Sequence, residues 1–335
     1  MRQGANQIAY TIMRAAQLAA VLEVAGWPKP GNVHRTADFE DTRFEQFMAG
    51  AIALGPSVRD VALRGIRAAQ GTLPIHEIRI GKYVKKAVSA VRNSHLGGNT
   101  HLGISLLFIP LAAAAGMTHR KRGKVESLPL REHVMKIMEA ATSQDAIAAY
   151  DAINLATSAA LGQFNGESAP DLSDQNASTK LSIEKITLYE AMQISSKWDN
   201  IAKEWATGME ICFKTGYPTL MNVYNETHDI NTAIVHTFLT ILSRHPDTFI
   251  ARKVGTMKTP HISKAVEIGL KETAWITETA RNILMIGGLT TELGRTKIFD
   301  FDRKLQQARG MYNPGTTADL TAGSLMIAML CGFRF

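Results

Sequence analysis

Apolar positions recur at three- and four-residue steps through nearly the whole chain. Ile8, Ile12, Ala15, Ala19 and Leu22 lie at i, i+4, i+7, i+11 and i+14, which is one face of a helix. Phe44, Phe47, Met48, Ala51 and Ile52 repeat the pattern, and so do Val134, Ile137, Met138 and Ala141, then Ile234, Phe238, Ile241 and Leu242. Thr42-Arg43-Phe44-Glu45 has the form of a capping box, and Asp229 stands where the Ile234–Leu242 helix needs an N-cap. Two uncharged runs, Leu102–Met117 (interrupted by Pro110) and Leu320–Phe333, read as buried helices. Both are shorter than the roughly 18–20 apolar residues of a membrane span. Period-two alternation is scarce; the best stretch, Ile78 to Val84, is short. Asn165-Gly166 joins no alternating runs and opens a polar stretch to Thr179, so a flexible surface loop is expected at about 165–180. The pattern predicts an all-α, single-domain multi-helix bundle over residues 1–335, without a fixed-period repeat.

Composition narrows this little further. Hydrophobic residues make up 45% and charged residues 20%, which excludes wholesale disorder, a collagen-like repeat and a coiled-coil rod. Two cysteines, Cys212 and Cys331, are too few for a disulfide scaffold. Arg14 and Glu23 interrupt the first apolar block, so a signal peptide is not expected, and the chain reads as cytoplasmic and without a membrane segment. The net charge of +7, from 37 Lys+Arg against 30 Asp+Glu, favours anionic ligands. The dense basic run His119-Arg120-Lys121-Arg122-Gly123-Lys124 is expected to be a solvated loop. A helical nucleic-acid-binding protein fits the charge, but no helix-turn-helix or RNA-binding signature supports it, and aromatics are only 7%.

Candidate chemistry lies where the helical pattern breaks. Trp27-Pro28-Lys29-Pro30-Gly31-Asn32-Val33-His34-Arg35 is expected to run extended between its prolines and present Lys29, with Gly31 allowing a sharp turn. Lys29, His34 and Arg35 suit a polyphosphate; a plain helix linker explains the segment equally. Gly97-Gly98-Asn99-Thr100-His101-Leu102-Gly103 opens a buried helix, whose free N–H groups form an anion site; Asn99 or Thr100 acting only as a cap is the bland alternative. Asn313-Pro314-Gly315-Thr316-Thr317-Ala318-Asp319 opens another, with Thr316 and Asp319 at capping-box spacing or Asp319 at a site entrance, able to hold Mg²⁺. His245-Pro246-Asp247-Thr248, followed by Arg252, Lys253 and Gly255, adds an acid beside bases.

In this order the motifs resemble those of the triphosphoribosyl-dephospho-CoA synthases, in which PKPGLVDR, GGVNTHKG, DTNxxxRGG and SPGGSADLL follow one another; the resemblance runs from about residue 23 to 325. It implies an all-helical transferase in which the 2′-hydroxyl of 3′-dephospho-CoA attacks C1′ of the ATP ribose. Adenine leaves and the triphosphate travels with the sugar. On that resemblance Asp41 and Asp247 are candidates for general base or cation stabiliser and His101 for proton donor. Phosphate and cofactor binding falls to Lys29, Gly31, His34, Arg35, Gly98, Asn99, Thr100, Gly103, Thr248, Arg252, Asn313 and Gly315, with Asp247 and Asp319 as Mg²⁺ ligands. The expected partners are ATP and 3′-dephospho-CoA or a related small acceptor; the oligomeric state stays open. The chain departs from the motifs at His34 (family Asp), Phe39 (family His) and Leu102 (family Lys), which leaves room for the same ATP-ribose chemistry on a different acceptor.

Overall fold

The computed structural model describes residues 4–156 and 177–335. Among these residues there is no strand, only an isolated bridge between His34 and Ala37. The helices are α1 (Ala5–Ala25), α2 (Phe44–Ala53), α3 (Gly55–Ala69), α4 (Ile80–Arg92), α5 (Leu102–Arg122) and α6 (Ser127–Glu139). They continue with α7 (Ser143–Ala156), α8 (Ala177–Ile183), α9 (Leu188–Ser195), α10 (Asn200–Thr207), α11 (Tyr217–Thr227) and α12 (Ile230–Arg244). The last five are α13 (Thr248–Thr256), α14 (Ile262–Glu272), α15 (Ala274–Met285), α16 (Glu292–Gln306) and α17 (Gly315–Leu330).

The two uncharged runs form the centre. α5 is buried without a break from Ile104 to Thr118, and α17 from Leu320 to Met329. α1, α3 and α6 pack around α5, and α17 lies against both α1 and α5. Close approach sets the α3–α5 contact: a Cβ on Gly65 would stand 1.9 Å from the Ala113 carbonyl oxygen. A second apolar cluster joins Val235, Phe238 and Leu242 of α12 to Ile276 and Ile283 of α15 and to Ile298, Phe301 and Leu305 of α16. Helix starts follow local chemistry. Asp199, Asp229 and Asp247 cap α10, α12 and α13 with their carboxylates, and Thr187 caps α9 in a reciprocal box with Glu190.

Several local expectations are corrected. The Ile78–Val84 stretch is not a strand. A short 3-10 turn (Ile75–Ile78) ends at Arg79, whose φ of 60° kinks the chain into α4, so Ile78 and Ile80 are buried on either side of a joint. Thr42 does not cap α2; its hydroxyl donates to Asp41 Oδ1, while Asp38 accepts from the Phe44 N–H and Gln46 from the Arg43 N–H. Ala16, Glu23 and Val24 are buried on α1 where Ala15 and Leu22 are only half-buried, and Ile52 is exposed. The basic run is not a loop: His119 to Arg122 form the last turn of α5, where cations offset the carboxyl end of the helix dipole, and Gly123 turns the chain with φ 78°. α1 and α5 reach 21 residues and are long and apolar enough to cross a membrane, more than the uncharged runs suggested. In α5, however, 83% of the apolar window is buried against other helices. The expected loop at 165–180 lies largely outside the described residues.

Candidate active site

The end of α1 and the loop after it supply the floor. Glu23 falls four residues after Ala19 on the buried stripe of α1, and its carboxylate receives the Lys29 ammonium; Lys29 is 0% exposed and also donates to Asn32 Oδ1 at 2.9 Å. Burial drives the Glu23 carboxyl up and the Lys29 ammonium down, and the attraction within the pair opposes both shifts. The expected free, extended lysine is therefore corrected. The chain turns at 29–32, where the Asn32 N–H reaches the Lys29 carbonyl, and the ammonium is spent on a buried pair. Gly31 sits in the turn at φ 73°, and a Cβ there would meet Leu305 at 2.6 Å; its N–H donates to Asp302 of α16. His34 is likewise committed, with Nε2 3.1 Å from Asp302 Oδ2 and Nδ1 accepting from the Thr36 N–H. Arg35 turns away from the site: its Nε donates to the Ala25 carbonyl and its Nη2 to Asn231, tying the end of α1 to the start of α12.

The α5 entrance meets this floor from above. Asn99 Oδ1 accepts from the Leu102 N–H, so the capping alternative holds for Asn99. The Gly98 N–H donates to the Asp41 carbonyl, and a Cβ on Gly98 would lie 3.4 Å from Asp41 Oδ2, the oxygen that Thr42 leaves free. Thr100 Oγ1 bridges His95 Nε2 and His101 Nδ1. Burial, with His95 beside it, lowers the His101 pKa to about 3. His101 is thus neutral near pH 7 and has no imidazolium proton to transfer, which corrects its expected role as proton donor.

Asp319 does not cap its own helix. It reaches across to the start of α5, where a Cβ on Gly103 would stand 2.0 Å from its Oδ2. Burial first, and then the nearby Glu23 and Asp247 carboxyls, hold Asp319 well above the usual carboxylate range. Asn313, at the same helix entrance, accepts from Asn32 Nδ2 at 2.8 Å, and Gly315 packs where a Cβ would lie 3.0 Å from Phe249.

Asp247 caps two helices at once. Oδ1 accepts from the N–H groups of Phe249 and Ile250, and Oδ2 accepts from Thr317 N and Oγ1 at 2.7 and 2.8 Å. A carboxylate offers about four lone-pair directions, and all four are used. No group of three or more His, Cys, Asp or Glu able to hold a metal occurs among the described residues. Asp247 is saturated and Glu23 paired, so neither has an oxygen to spare for Mg²⁺.

The motif after Asp247 divides unexpectedly. Thr248 Oγ1 accepts from the Asn200 N–H, and Arg252 lies 3.7 Å from Asp199, so both serve the contact with α10. The cation that feels Asp41 and Asp247 is Lys253. Its half-buried ammonium stands 4.1 Å over the Phe249 ring and donates to the Gly310 carbonyl, and burial lowers its pKa against the pull of the two acids. The spacing could have found it, because Arg stands six positions after Asp in DTNxxxR and six positions after Asp247 is Lys253. Glu23, Asn32, Asp302, Thr317 and His95 were also missed; Glu23 alone left a signal, as a charge on an apolar stripe.

Residues 9–334 match the family model described as ATP:dephospho-CoA triphosphoribosyl transferase. A solved structure described as a candidate triphosphoribosyl-dephospho-CoA synthase from Archaeoglobus fulgidus is similar, with TM-score 0.61 and 25% sequence identity over 87% of this chain and 100% of that one. No curated protein matches the chain.

Proposed function

The chain belongs to the ATP:dephospho-CoA triphosphoribosyl transferase family, and we propose that, as one helical domain, it joins the ribose of MgATP to the 2′-hydroxyl of 3′-dephospho-CoA where α1, α5, α13 and α17 meet. Asp319 carries this assignment of the site: a partly buried acid, whose pKa its surroundings raise, at the amino end of a buried helix.

The 2′-oxygen bonds to C1′ as the C1′–N9 bond breaks, and the ribose passes through an oxocarbenium-like state stabilised by nearby carboxylates. Two proton movements balance the step: the hydroxyl proton leaves to a base, and adenine departs with a proton from an acid. Asp41 serves as the base through its free Oδ2 beside Gly98. Asp319, whose protonated form is favoured, serves as the acid. Lys253 and the Gly103 N–H at the α5 entrance take the phosphates. Mg²⁺ arrives on the triphosphate as part of the substrate. Glu23–Lys29 and Asp247 touch no substrate; they hold the two helix entrances against each other. ATP and a coenzyme A precursor place the reaction in the cytoplasm.

The test is a mass-resolved assay of the protein with MgATP and 3′-dephospho-CoA. Free adenine with a matching triphosphoribosyl adduct supports the reading. Intact ATP with both acceptor and folded protein present overturns it. Leu102 favours a second reading, the same chemistry on another acceptor, because it begins α5 without the cation that the family motif carries there; adenine released only with a different acceptor selects that reading.

A further inference from the structure

His101 is 1% exposed, and its Nε2 has no hydrogen-bond partner among the described residues. One turn further along α5, the buried Ser105 Oγ has none either. Buried polar atoms without partners are rare in folded proteins and commonly mark the place of a ligand or water. Which kind of atom belongs beside His101 depends on where its single proton sits.

The hydrogen bonds decide this in sequence. The Gly97 N–H points at His95 Nδ1 at 3.2 Å, so Nδ1 must be the bare, accepting nitrogen of a neutral ring. Its proton is then on Nε2, which donates to Thr100 Oγ1 at 3.1 Å. A threonine hydroxyl has one proton to give, and with its oxygen already accepting from His95, Thr100 donates to His101 Nδ1 at 2.8 Å. His101 Nδ1 is therefore bare, and the proton is on the unpartnered Nε2.

We infer that His95, acting through Thr100, holds His101 as the Nε2–H tautomer, so that His101 offers a buried hydrogen-bond donor to an acceptor atom of the substrate. His95 is then a positioning residue. The tautomer follows from geometry alone; the assignment of the acceptor atom to substrate rests on the transferase reading above.

Two-bond ¹H–¹⁵N correlation spectra of the ¹⁵N-histidine-labelled protein near pH 7 test this directly, with His101 assigned by its loss in His101→Gln. The expected wild-type pattern is a protonated Nε2 and a bare Nδ1. His95→Ala converts His101 to a mixture of tautomers and lowers kcat for adenine release by about 10-fold, the equivalent of one hydrogen bond, with little change in KM for ATP. His95→Gln, whose amide still donates to Thr100, restores both. Thr100→Val reproduces the loss, and adding it to His95→Ala costs nothing more. A wild-type His101 that is charged or protonated on Nδ1 overturns the proposal, as does an unchanged tautomer and kcat in both His95→Ala and Thr100→Val. The expected tautomer in a protein that releases no adenine with any acceptor leaves the donor standing and overturns the transferase reading.

Discussion

If Asp247 is a double cap and not a metal ligand, Asp247→Asn damages stability before it damages Mg²⁺ use. The carboxylate accepts two N–H bonds on Oδ1 and a Thr317 N–H and O–H on Oδ2. Asparagine keeps one oxygen. With that oxygen toward α13, its NH₂ faces the Thr317 N–H; the Thr317 hydroxyl can rotate to accept, but the backbone donor is stranded. An unsatisfied buried donor costs about 1–3 kcal/mol, and exchanging charge-assisted bonds for neutral ones costs about 1 kcal/mol more. The other orientation strands two N–H groups and costs more. The expected loss is about 2–4 kcal/mol, read as a lower urea midpoint at unchanged m-value, with unfolding followed by circular dichroism. The Mg²⁺ concentration giving half-maximal adenine release should stay where it is in wild type. Unchanged stability together with a sharply raised Mg²⁺ requirement would refute the reasoning, since it would mean that an oxygen of Asp247 is free to bind the metal.

Asp319→Asn should abolish at least about 100-fold of the adenine-release rate, as expected for a lost general acid. It should also remove a pH dependence of stability. The native Asp319 carboxyl holds its proton well above the ordinary 3.8, so between the unfolded and folded values the native state binds more protons. Wild-type stability therefore falls as pH rises through that window, and the variant lacks this slope; parallel urea midpoints across pH would contradict it. Gly103→Ala places a Cβ 2.0 Å from Asp319 Oδ2, so the carboxyl must move. A drop in kcat with a stability change no larger than about 1–3 kcal/mol is expected, and wild-type kcat would show that Asp319 has no fixed post at α5. Lys253→Met should weaken ATP binding by about 10–100-fold, the equivalent of one or two charge-assisted bonds. Arg252→Ala should change it far less, and isothermal titration in which Arg252→Ala is the weaker binder would reverse the assignment.

The helices were legible because each writes its own apolar period. Val134, Ile137, Met138 and Ala141, and Ile234, Phe238, Ile241 and Leu242, are all buried as their spacing predicts. Asp229 was legible for the same reason, since an aspartate three residues before the N–H it receives is a local feature. The motif loops were legible as places, and the structure brings most of them together: Gly98 against Asp41, Gly103 against Asp319, Asn32 against Asn313. What could not be read was which residue does what inside them, because side chains from one entrance reach the next and the entrance of α17 is capped from outside, by Asp247. Asp319 looked like a cap for the helix that contains it and lies against Gly103 of α5 instead; Asp247 caps its own helix and α17 as well. Lys29 looked presented because its partner, Glu23, lies on the preceding helix. Capping and charge pairing use the same side-chain types that catalysis and phosphate binding use, and spacing along the chain cannot separate the two. The separation comes from counting the partners each oxygen and nitrogen already has. Asp247, Lys29, His34 and Arg35 are spent on structure, whereas Asp41 Oδ2, His101 Nε2 and the Asp319 carboxyl, its pKa raised by burial, keep capacity for a substrate.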